Sequence, residues 1–512
     1  MNRLKLSDAW PALLGGLVAI AAALLLRTLT QTCLFAEVAL EAMVDVLPGE
    51  SFSDMLGVFG PYGKALFFVS VLGFQLVLYV AIWMQLRRMT NAWRSAVLNV
   101  ALAAALLSTA VLTGLSVVLI VTTDATLGSE TGWLEYAFVT AMASVLYAAI
   151  AGIQTLGLGT AADDGTEAYY EDESRRRFLT RIPGLAVGGL ALVVIGRVVR
   201  DAARGGVQRS TRGQATQPVT SNRDYYVVSK NLIDPQVSSG SWTLHVGGFV
   251  TQKLDLRYND LLAFPTQEQY TTMQCISNEV GGELISNALW KGVPLKTVLN
   301  RAAIQREAKF VMFRCTDGYT ESLPVDFALQ DHVILAYQMN GEQLPQKHGF
   351  PVRLLAPGKY GIKHPKWITD IMLMDEETFG YWQQQGWTQE ARMNTSVRID
   401  VPGFYGEAAP NSAYLIEGLS FSGDRGISKV EVSTDNRKTW SDAVLKPPLG
   451  PFTWVLWSYE WRVPPDEGQH RIWARATDGI GDLQTERVAD PYPDGATGWH
   501  ETIAVVKAPE TM

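Results

Sequence analysis

Long runs of apolar side chains dominate the first 200 residues of the sequence. Four of these runs occupy residues 11–26, 65–84, 96–121 and 133–156, and a shorter fifth run, rich in Gly and Ala, occupies residues 182–199. A helix needs about 20 apolar residues to cross a bilayer, and the four long runs approach or exceed that length. The pattern predicts four transmembrane helices within residues 1–160 and a fifth within residues 161–204.

The charges between these runs predict the orientation of the chain in the membrane. Cytoplasmic loops are enriched in Lys and Arg. The basic residues lie at the N-terminus and after the second run: Arg3, Lys5, Arg87, Arg88 and Arg94. Five spans would then put the C-terminal part on the outer, periplasmic face of the cell (inner) membrane. Arg27 lies at the outer end of the first run, where it could pair with a carboxylate or extend toward the interface.

An arginine cluster precedes the fifth run. Its sequence, SRRRFL at residues 174–179, is similar to a twin-arginine export signal, which a receptor reads. A simple cytoplasmic flank would need the arginines but not Phe178 and Leu179. Such a signal implies cargo exported already folded, as expected for a domain that receives a cofactor in the cytoplasm. Residues 205–224 contain few apolar side chains and are predicted to be a flexible linker.

The remainder of the chain has the patterns of two further domains. Strand-like runs at residues 243–250, 310–314, 352–355 and 368–374 are interleaved with helical segments such as residues 294–303. This mixture predicts an α+β domain over residues 225–394. Shorter alternating runs at residues 413–421, 428–433, 454–462 and 471–477 are separated by turn signals. They predict an immunoglobulin-like β-sandwich over residues 395–512.

Composition narrows the possible functions. A formal net charge of -8 argues against nucleic acid as a partner, because such proteins need a basic face. The cysteines Cys33, Cys275 and Cys315 are too few for a disulfide framework or a zinc site. All six histidines lie at or after His245, so no haem is expected in the helical region.

Cys275 ends a short run just before a polar loop that contains glycine. Its thiolate could be a nucleophile or a soft metal ligand, but an isolated cysteine is more often a small buried side chain. The surrounding motifs favour the metal ligand. These are QCISNEVGG at 274–282, DGYTESLP at 317–324, MNGE at 339–342, HGFPVR at 348–353, YGIKHPKW at 360–367 and KVEVSTD at 429–435.

Together these motifs resemble the sulfite oxidase family of molybdopterin enzymes, in its membrane-anchored bacterial type with a C-terminal dimerisation domain. The resemblance covers roughly residues 225–512 and implies one molybdenum–molybdopterin cofactor, with Cys275 as the protein's metal ligand. The positions that match the family's cofactor contacts are Asn231, Asp317, His348, Arg353, His364 and Lys366. Of these, Arg353 and Lys366 suit a phosphate on grounds of charge.

Two further residues, Tyr319 and Cys315, receive different interpretations. Tyr319 matches the family's active-site tyrosine, whose hydroxyl could form a hydrogen bond at the metal. Cys315 is expected to be structural.

The sequence departs from the family where substrate binds. Lys230 stands in place of an expected arginine, and Glu279 and Val280 occupy positions where arginine is also expected. Glu501 follows Trp-His where the family has Trp-His-Arg. Because an oxyanion needs cations around it, we expect a substrate less charged than sulfite, such as a sulfoxide.

The sequence therefore predicts an exported molybdenum-cofactor oxidoreductase that transfers an oxygen atom, with two electrons, to or from a small molecule. A catalytically silent pterin-containing binding module and a membrane scaffold remain alternatives. The expected partners are membrane lipid, a second copy of the chain, and either a quinone or a separate electron carrier. The helical region is expected to be an anchor or docking site ahead of a quinone site.

Overall fold

The computed structural model describes residues 9–30, 34–46, 63–89, 96–122, 133–159, 189–197, 215–231 and 234–508. Contacts along the chain define two compact units. One contains residues 1–47, 59–206 and 231–233, and the other contains residues 48–58, 207–230 and 234–512. The described residues of the first unit are mainly helical, and those of the second are mainly β-strands.

Five long or medium helices lie in the first unit: α1 (Trp10–Thr30), α2 (Phe35–Val46), α3 (Gly63–Met89), α4 (Ala96–Thr122) and α5 (Trp133–Gly159). Three are long and apolar enough to cross a membrane, over Trp10–Arg27, Leu66–Leu86 and Tyr136–Ile153. In α4 the described side chains form a shorter apolar run, Ala103–Val118. Three candidate spans are therefore supported, and the predicted five are not confirmed.

The predicted fifth span and the export signal lie largely outside the described residues. Within the fifth run, residues 189–197 are helical. The arginine cluster at residues 174–179 falls in a part of the chain that the structure does not describe.

Arg27 pairs with a carboxylate, which decides between the two alternatives left open by the sequence. Its Nε lies 3.0 Å from Oε2 of Glu37 on α2, and the two side chains are 9% and 12% exposed. The same carboxylate accepts the backbone N–H of Leu34 at 2.8 Å, at the start of α2. A buried guanidinium needs such a partner in an apolar environment.

The second unit begins with a β-rich domain. Its strands are β1 (Thr243–Gly248), β2 (Leu254–Arg257), β3 (Gln267–Gln274), β4 (Ile285–Pro294), β5 (Phe310–Cys315), β6 (Thr320–Pro324), β7 (Ile334–Met339), β8 (Glu342–Gln343), β9 (Arg353–Leu355) and β10 (Ile368–Met374). Its helices are α6 (Tyr258–Leu262), α7 (Leu295–Ala302), α8 (Val325–Ala328) and α9 (Tyr381–Gln384).

Two sheets organise this domain. One has the strand order β2-β1-β10-β5-β6, with β1 and β10 parallel. The other has the order β3-β4-β7-β8, with β9 added to β7. The main core contains Leu244, Val298, Phe313 and Ile371, and it joins the first sheet to α7. The four predicted strands and the predicted helix of this domain are present within a few residues of their expected ends, but β3 and β4 were not predicted.

The C-terminal part contains two more sheets. Its strands are β11 (Ser396–Val401), β12 (Gly406–Ala408), β13 (Ala413–Phe421), β14 (Ile427–Ser433), β15 (Ser441–Asp442), β16 (Val444–Leu445), β17 (Val455–Arg462), β18 (Gly468–Asp478) and β19 (His500–Val506). The sheets have the orders β11-β13-β17-β16 and β12-β19-β18-β14-β15. Ile416 and Trp457 of the first sheet share one core with Val430 and Ile472 of the second.

Residues 215–224, the described end of the predicted flexible linker, are bound to the second unit. Thr220 exchanges backbone and side-chain hydrogen bonds with Asn287 on β4. The carbonyl of Pro218 accepts hydrogen bonds from Asn287 at 2.8 Å and from Trp454 at 3.2 Å. Within residues 215–224 the segment is therefore hydrogen-bonded to the domain, while a flexible linker over residues 205–224 as a whole stays a prediction.

Candidate active site

Cys275 lies at the end of a β-hairpin. Strands β3 and β4 pair from Gln267 opposite Gly292 to Gln274 opposite Ile285, and Cys275 follows immediately. Its backbone N–H donates to the carbonyl of Leu284 at 2.9 Å, and its carbonyl accepts the N–H of Asn278 at 3.1 Å. Both ends of the loop are thus hydrogen-bonded, which fixes the thiol at the hairpin tip.

A glycine in this loop permits close contact with the C-terminal part. Gly281 has a φ of +71°, and a Cβ there would overlap the imidazole of His500. Only glycine adopts this backbone conformation without strain and also leaves room for the ring. The sequence motif around Cys275 therefore depends on packing against β19 as well as on its own turn.

Cys275 lines a cavity that is partly open to solvent. Seven of the eight predicted site residues line it: Cys275, Asp317, Tyr319, His348, Arg353, His364 and Lys366. Asn231 is not among the lining residues, which end in that segment at Lys230. Residues more than 90 positions apart in the sequence thus meet at one site, while the expected cofactor contact of Asn231 stays a prediction.

Arg353, the first residue of β9, is buried beside the cavity at 5% exposure. Its two terminal nitrogens donate to the carbonyls of His348, at 3.0 Å, and His364, at 3.1 Å. Its Nε is buried and makes no hydrogen bond among the described residues. Burial lowers the pKa of the guanidinium, although an arginine stays charged at neutral pH. A buried donor of this kind favours an acceptor or an anion in the cavity.

The two histidines are held in the neutral form. Burial is the main cause that lowers the pKa of His348 to about 3 and that of His364 to about 3, and the charge of Arg353 acts in the same direction. Nδ1 of His364 accepts the N–H of Ala356, so its Nε2 carries the proton and donates to the carbonyl of Lys359. Both imidazoles therefore act as hydrogen-bonding groups of fixed orientation rather than as cations.

Lys366 supplies a second charge to the same wall. Its ammonium lies 4.2 Å from the ring centre of Trp367, and its hydrogen bonds to the carbonyls of Lys347 and Val228 are long, at 3.4 and 3.5 Å. Burial lowers the pKa of Lys366. Trp367 itself has a φ of +55°, which is unusual for a bulky residue and typical of functional sites.

Tyr319 also lines the cavity, just before strand β6. Its backbone N–H donates to Oδ1 of Asp317 at 3.1 Å, which shapes the turn before β6. Its hydroxyl donates to the carbonyl of Ile362 at 2.6 Å and lies 3.5 Å from Oε2 of Glu321. Burial and then the Glu321 carboxylate raise the pKa of Tyr319, so the phenol stays protonated.

Sequence reasoning missed several residues at this site. Lys347 also lines the cavity, together with the stacked pair Tyr225 and Tyr226. Lys230, which the sequence indicated at the substrate position, lines it as well. The lining therefore carries four cations, on Lys230, Lys347, Arg353 and Lys366, against the one carboxylate of Asp317. The tyrosines could not have been singled out, because an aromatic pair in sequence looks the same in any core.

The residues present fit a molybdopterin cofactor. Across the described residues no group of three or more His, Cys, Asp or Glu side chains converges as a metal site. A metal at the single soft sulfur of Cys275 would therefore need its other ligands from a bound group. The excess of cations and the orphaned Nε of Arg353 suit a group that carries phosphate.

Cys275 and Cys315 are separate reduced thiols. Cys315 belongs to the main hydrophobic core at the end of β5, where it is 2% exposed, and it does not line the cavity. Burial raises the pKa of Cys315 well above its ordinary value. These observations agree with the structural role expected for it.

The other substituted positions lie elsewhere. Glu279 and Val280 line a separate, smaller cavity of about 380 Å³ together with Arg398. Glu501 pairs with Arg471 at 2.5 Å across β18 and β19. Since its charge is compensated there, the expectation that Glu501 repels sulfite is not supported.

Comparisons with known proteins define the class. A family model described as the oxidoreductase molybdopterin binding domain matches residues 231–382, and one described as the Mo-co oxidoreductase dimerisation domain matches residues 399–490. The fold is similar to that of the sulfane dehydrogenase SoxCD from Paracoccus pantotrophus, with a TM-score of 0.51 and 20% identity over 60% of this chain and 87% of the other.

Curated relatives agree with that class. The mitochondrial sulfite oxidase of Homo sapiens is 31% identical over 310 residues, covering 52% of this chain and 57% of that protein. The NADH nitrate reductase of Solanum lycopersicum is 27% identical over 317 residues, covering 50% of this chain and 35% of that protein. The chain thus spans little more than half the length of that sulfite oxidase and about a third of the length of that nitrate reductase. Residues 231–490 therefore contain the two domains characteristic of the sulfite oxidase family of molybdopterin-binding oxidoreductases.

Proposed function

We propose that this protein is a membrane-anchored, exported oxidoreductase in which Cys275 binds the molybdenum of a molybdopterin cofactor. The observation that carries the proposal is the single cavity that gathers Cys275 with the cationic wall of Arg353 and Lys366. The bound group would supply two-electron chemistry, which side chains alone do not perform.

The residues that line the cavity would bind the cofactor's phosphate, orient the surrounding backbone and form hydrogen bonds at the wall. Arg353 and Lys366 would hold the phosphate, the first through its planar fork and the second as a compact charge. His348 and His364 stay neutral and orient the backbone around that site. Asp317 accepts the N–H of Tyr319, and Tyr319 offers a protonated phenol at the cavity wall.

We infer a small substrate that is less charged than sulfite. Arg353 and Lys366 are assigned to the cofactor. At the position where the family is expected to present an arginine to the substrate, this chain has Lys230, which lines the cavity. One lysine does not neutralise a doubly charged anion in a partly desolvated site, whereas it can donate to the oxygen of a sulfoxide or an N-oxide.

The helical unit is proposed as the membrane anchor. Its three candidate spans and the Arg27–Glu37 pair suit an apolar surrounding. Electrons would be exchanged with a separate carrier or with a quinone. The dimerisation-type domain at residues 399–490 favours a homodimer.

Turnover by the purified full-length protein tests the proposal. A viologen-type dye would serve as electron source or sink, and sulfite, sulfoxides and N-oxides would be compared under the same conditions. We expect turnover of at least one neutral oxygen donor and little with sulfite. A high rate with sulfite would overturn the substrate proposal, and a molybdenum-loaded protein inert to every substrate and dye would favour the silent binding module.

A further inference from the structure

An ion pair buried from solvent lies directly behind Tyr319. Nζ of Lys363 donates to Oε1 of Glu321 at 2.6 Å, and the two side chains are 2% and 0% exposed. Removing two charges from water costs free energy that their attraction often does not recover. Such a pair is therefore poor evidence for stability alone, and its surroundings indicate another role.

The pair is connected to Tyr319 through two short stretches of chain. Glu321 follows Tyr319 by two residues, and its Oε2 lies 3.5 Å from the phenol oxygen. Lys363 follows Ile362, whose carbonyl accepts the phenol proton at 2.6 Å. Lys363 also donates to the carbonyl of Ser322 at 3.2 Å, and the N–H of Ser322 donates to Glu321 at 2.8 Å. The carboxylate is thus fixed on three sides.

We propose that Glu321 and Lys363 are positioning residues for Tyr319: Lys363 fixes the Glu321 carboxylate beside the phenol, and that carboxylate together with the Ile362 carbonyl holds the protonated hydroxyl in place at the cavity wall. The proposal deepens the function proposed above and rests on it for the role of Tyr319 in turnover. The position of the pair relative to Tyr319 is independent of that function.

The other charged groups around the phenol set the sign of the expected effect. From its own segment Tyr319 faces Cys315, Asp317 and Glu321, which all raise its pKa in addition to burial. From α9 the ring of Tyr381 lies 6.0 Å away and carries the ammonium of Lys230 at 5.0 Å. Lys363 contacts Oε1 of Glu321, whereas the phenol lies beside Oε2, so the carboxylate is the nearer of the two opposite charges. Because an anion disfavours a neighbouring phenolate, neutralising the pair lowers the pKa of Tyr319.

The test replaces both partners with neutral groups, Glu321→Gln with Lys363→Met, in the purified full-length chain. Phenolate absorbance is followed against pH in this variant and in the wild type. Each is also measured with Tyr319→Phe, and the difference isolates Tyr319 from the other tyrosines. We expect the onset of Tyr319 phenolate to move to lower pH by about one unit or more. The alkaline fall of kcat/KM should move by a similar amount.

A matched control removes a different buried pair. Arg425 and Asp478 lie 2.7 Å apart in the C-terminal part, with side chains 11% and 2% exposed. The double change Arg425→Met with Asp478→Asn should lower the melting temperature and leave the Tyr319 titration unchanged. An unchanged titration in the Glu321/Lys363 variant as well would show that its pair is only structural and would overturn the proposal.

A second variant and a metal-free measurement cover the cases in which the double variant does not fold or no molybdenum binds. If the neutral double variant does not fold, Glu321→Asp retains the pair but withdraws the carboxylate from Tyr319. A smaller shift in the same direction is expected, and no shift would overturn the proposal. The titration reads Tyr319 whether or not molybdenum is bound. A shifted onset in a chain that binds no molybdenum would therefore support the positioning role while contradicting the proposed function.

Discussion

His348 and His364 show how burial assigns a chemical state to single residues. Each is 2% exposed, and each lies near the buried charge of Arg353. A charged imidazole would lose its hydration there and be repelled by the guanidinium. The neutral form keeps the hydrogen bonds to the carbonyls of Asn222 and Lys359 instead.

Because of these two histidines, we expect the folded protein to lose stability in acid. Their folded pKa values of about 3 lie below the ordinary value of 6.5, so the unfolded chain binds protons first as the pH falls. Their stabilising contribution is complete above about pH 6.5 and is lost progressively toward pH 3. Each should cost about 2 kcal/mol between pH 7 and pH 5. Unfolding midpoints measured against pH test this.

A variant isolates the contribution of one histidine. In His364→Gln the midpoint at pH 7 should fall, because the ring and its hydrogen bonds are lost, but its further decrease toward pH 5 should be smaller than in the wild type. Parallel curves for the two proteins would show that His364 already binds a proton in the folded state near neutral pH.

At the scale of elements, one turn residue adds to the contacts that hold the segment before the molybdopterin-binding domain. Asn340, with a φ of +52°, follows β7. Its side chain accepts the N–H of Leu289 at 2.9 Å and donates to the carbonyl of Thr220 and to Oδ1 of Asn222, both at 2.9 Å. The turn therefore fastens residues 215–224 to β4.

Asn340→Gly should release this segment without disturbing the turn, because glycine accepts the same backbone angle. Loss of three hydrogen bonds should lower the free energy of unfolding by about 1–3 kcal/mol. Amide exchange of residues 215–224 should accelerate. The control is Asn436→Gly, at an exposed turn with a φ of +60°. Unchanged exchange in Asn340→Gly would mean that other contacts hold the segment.

The elements predicted correctly from the sequence are those in which a run of apolar residues marks the buried positions. Strands β10 and β13 consist largely of apolar residues, and both were predicted at their observed ends. Strand β3 reads QEQYTTMQ, and its buried positions include Thr271, Thr272 and Gln274, so no apolar pattern reveals it. Helix α2 was not predicted, although the spacing of four between its acidic residues Glu37, Glu41 and Asp45 is compatible with a helix.

The site was predictable to the extent that it consists of ordered motifs. Seven of the eight expected residues meet in one cavity because those motifs all belong to its wall. The pair Glu321–Lys363 lies within two of the same motifs but was not singled out. In sequence a glutamate and a lysine 42 positions apart look like surface charges, and only the fold shows that both are buried and joined.

At the scale of the whole molecule, export through the arginine cluster stays a prediction. A reporter fused after Gly205 should reach the outer face of the membrane in the wild type. Changing Arg175 and Arg176 to Lys should abolish export, because a receptor reads the arginine pair rather than its charge. The matched control changes Arg87 and Arg88 to Lys, which keeps the same charges in another segment. Equal export in both variants would refute the twin-arginine interpretation.

The central claim is that Cys275 is the protein's ligand to a molybdenum atom. Metal analysis of the purified full-length chain tests it without any choice of substrate. The account predicts about one molybdenum per chain in the wild type, consistent with one cofactor per domain. It predicts almost none in Cys275→Ser and the wild-type amount in Cys315→Ser, which changes a buried thiol outside the cavity. A folded wild-type chain without molybdenum, or a Cys275→Ser chain that retains it in full, would contradict the account.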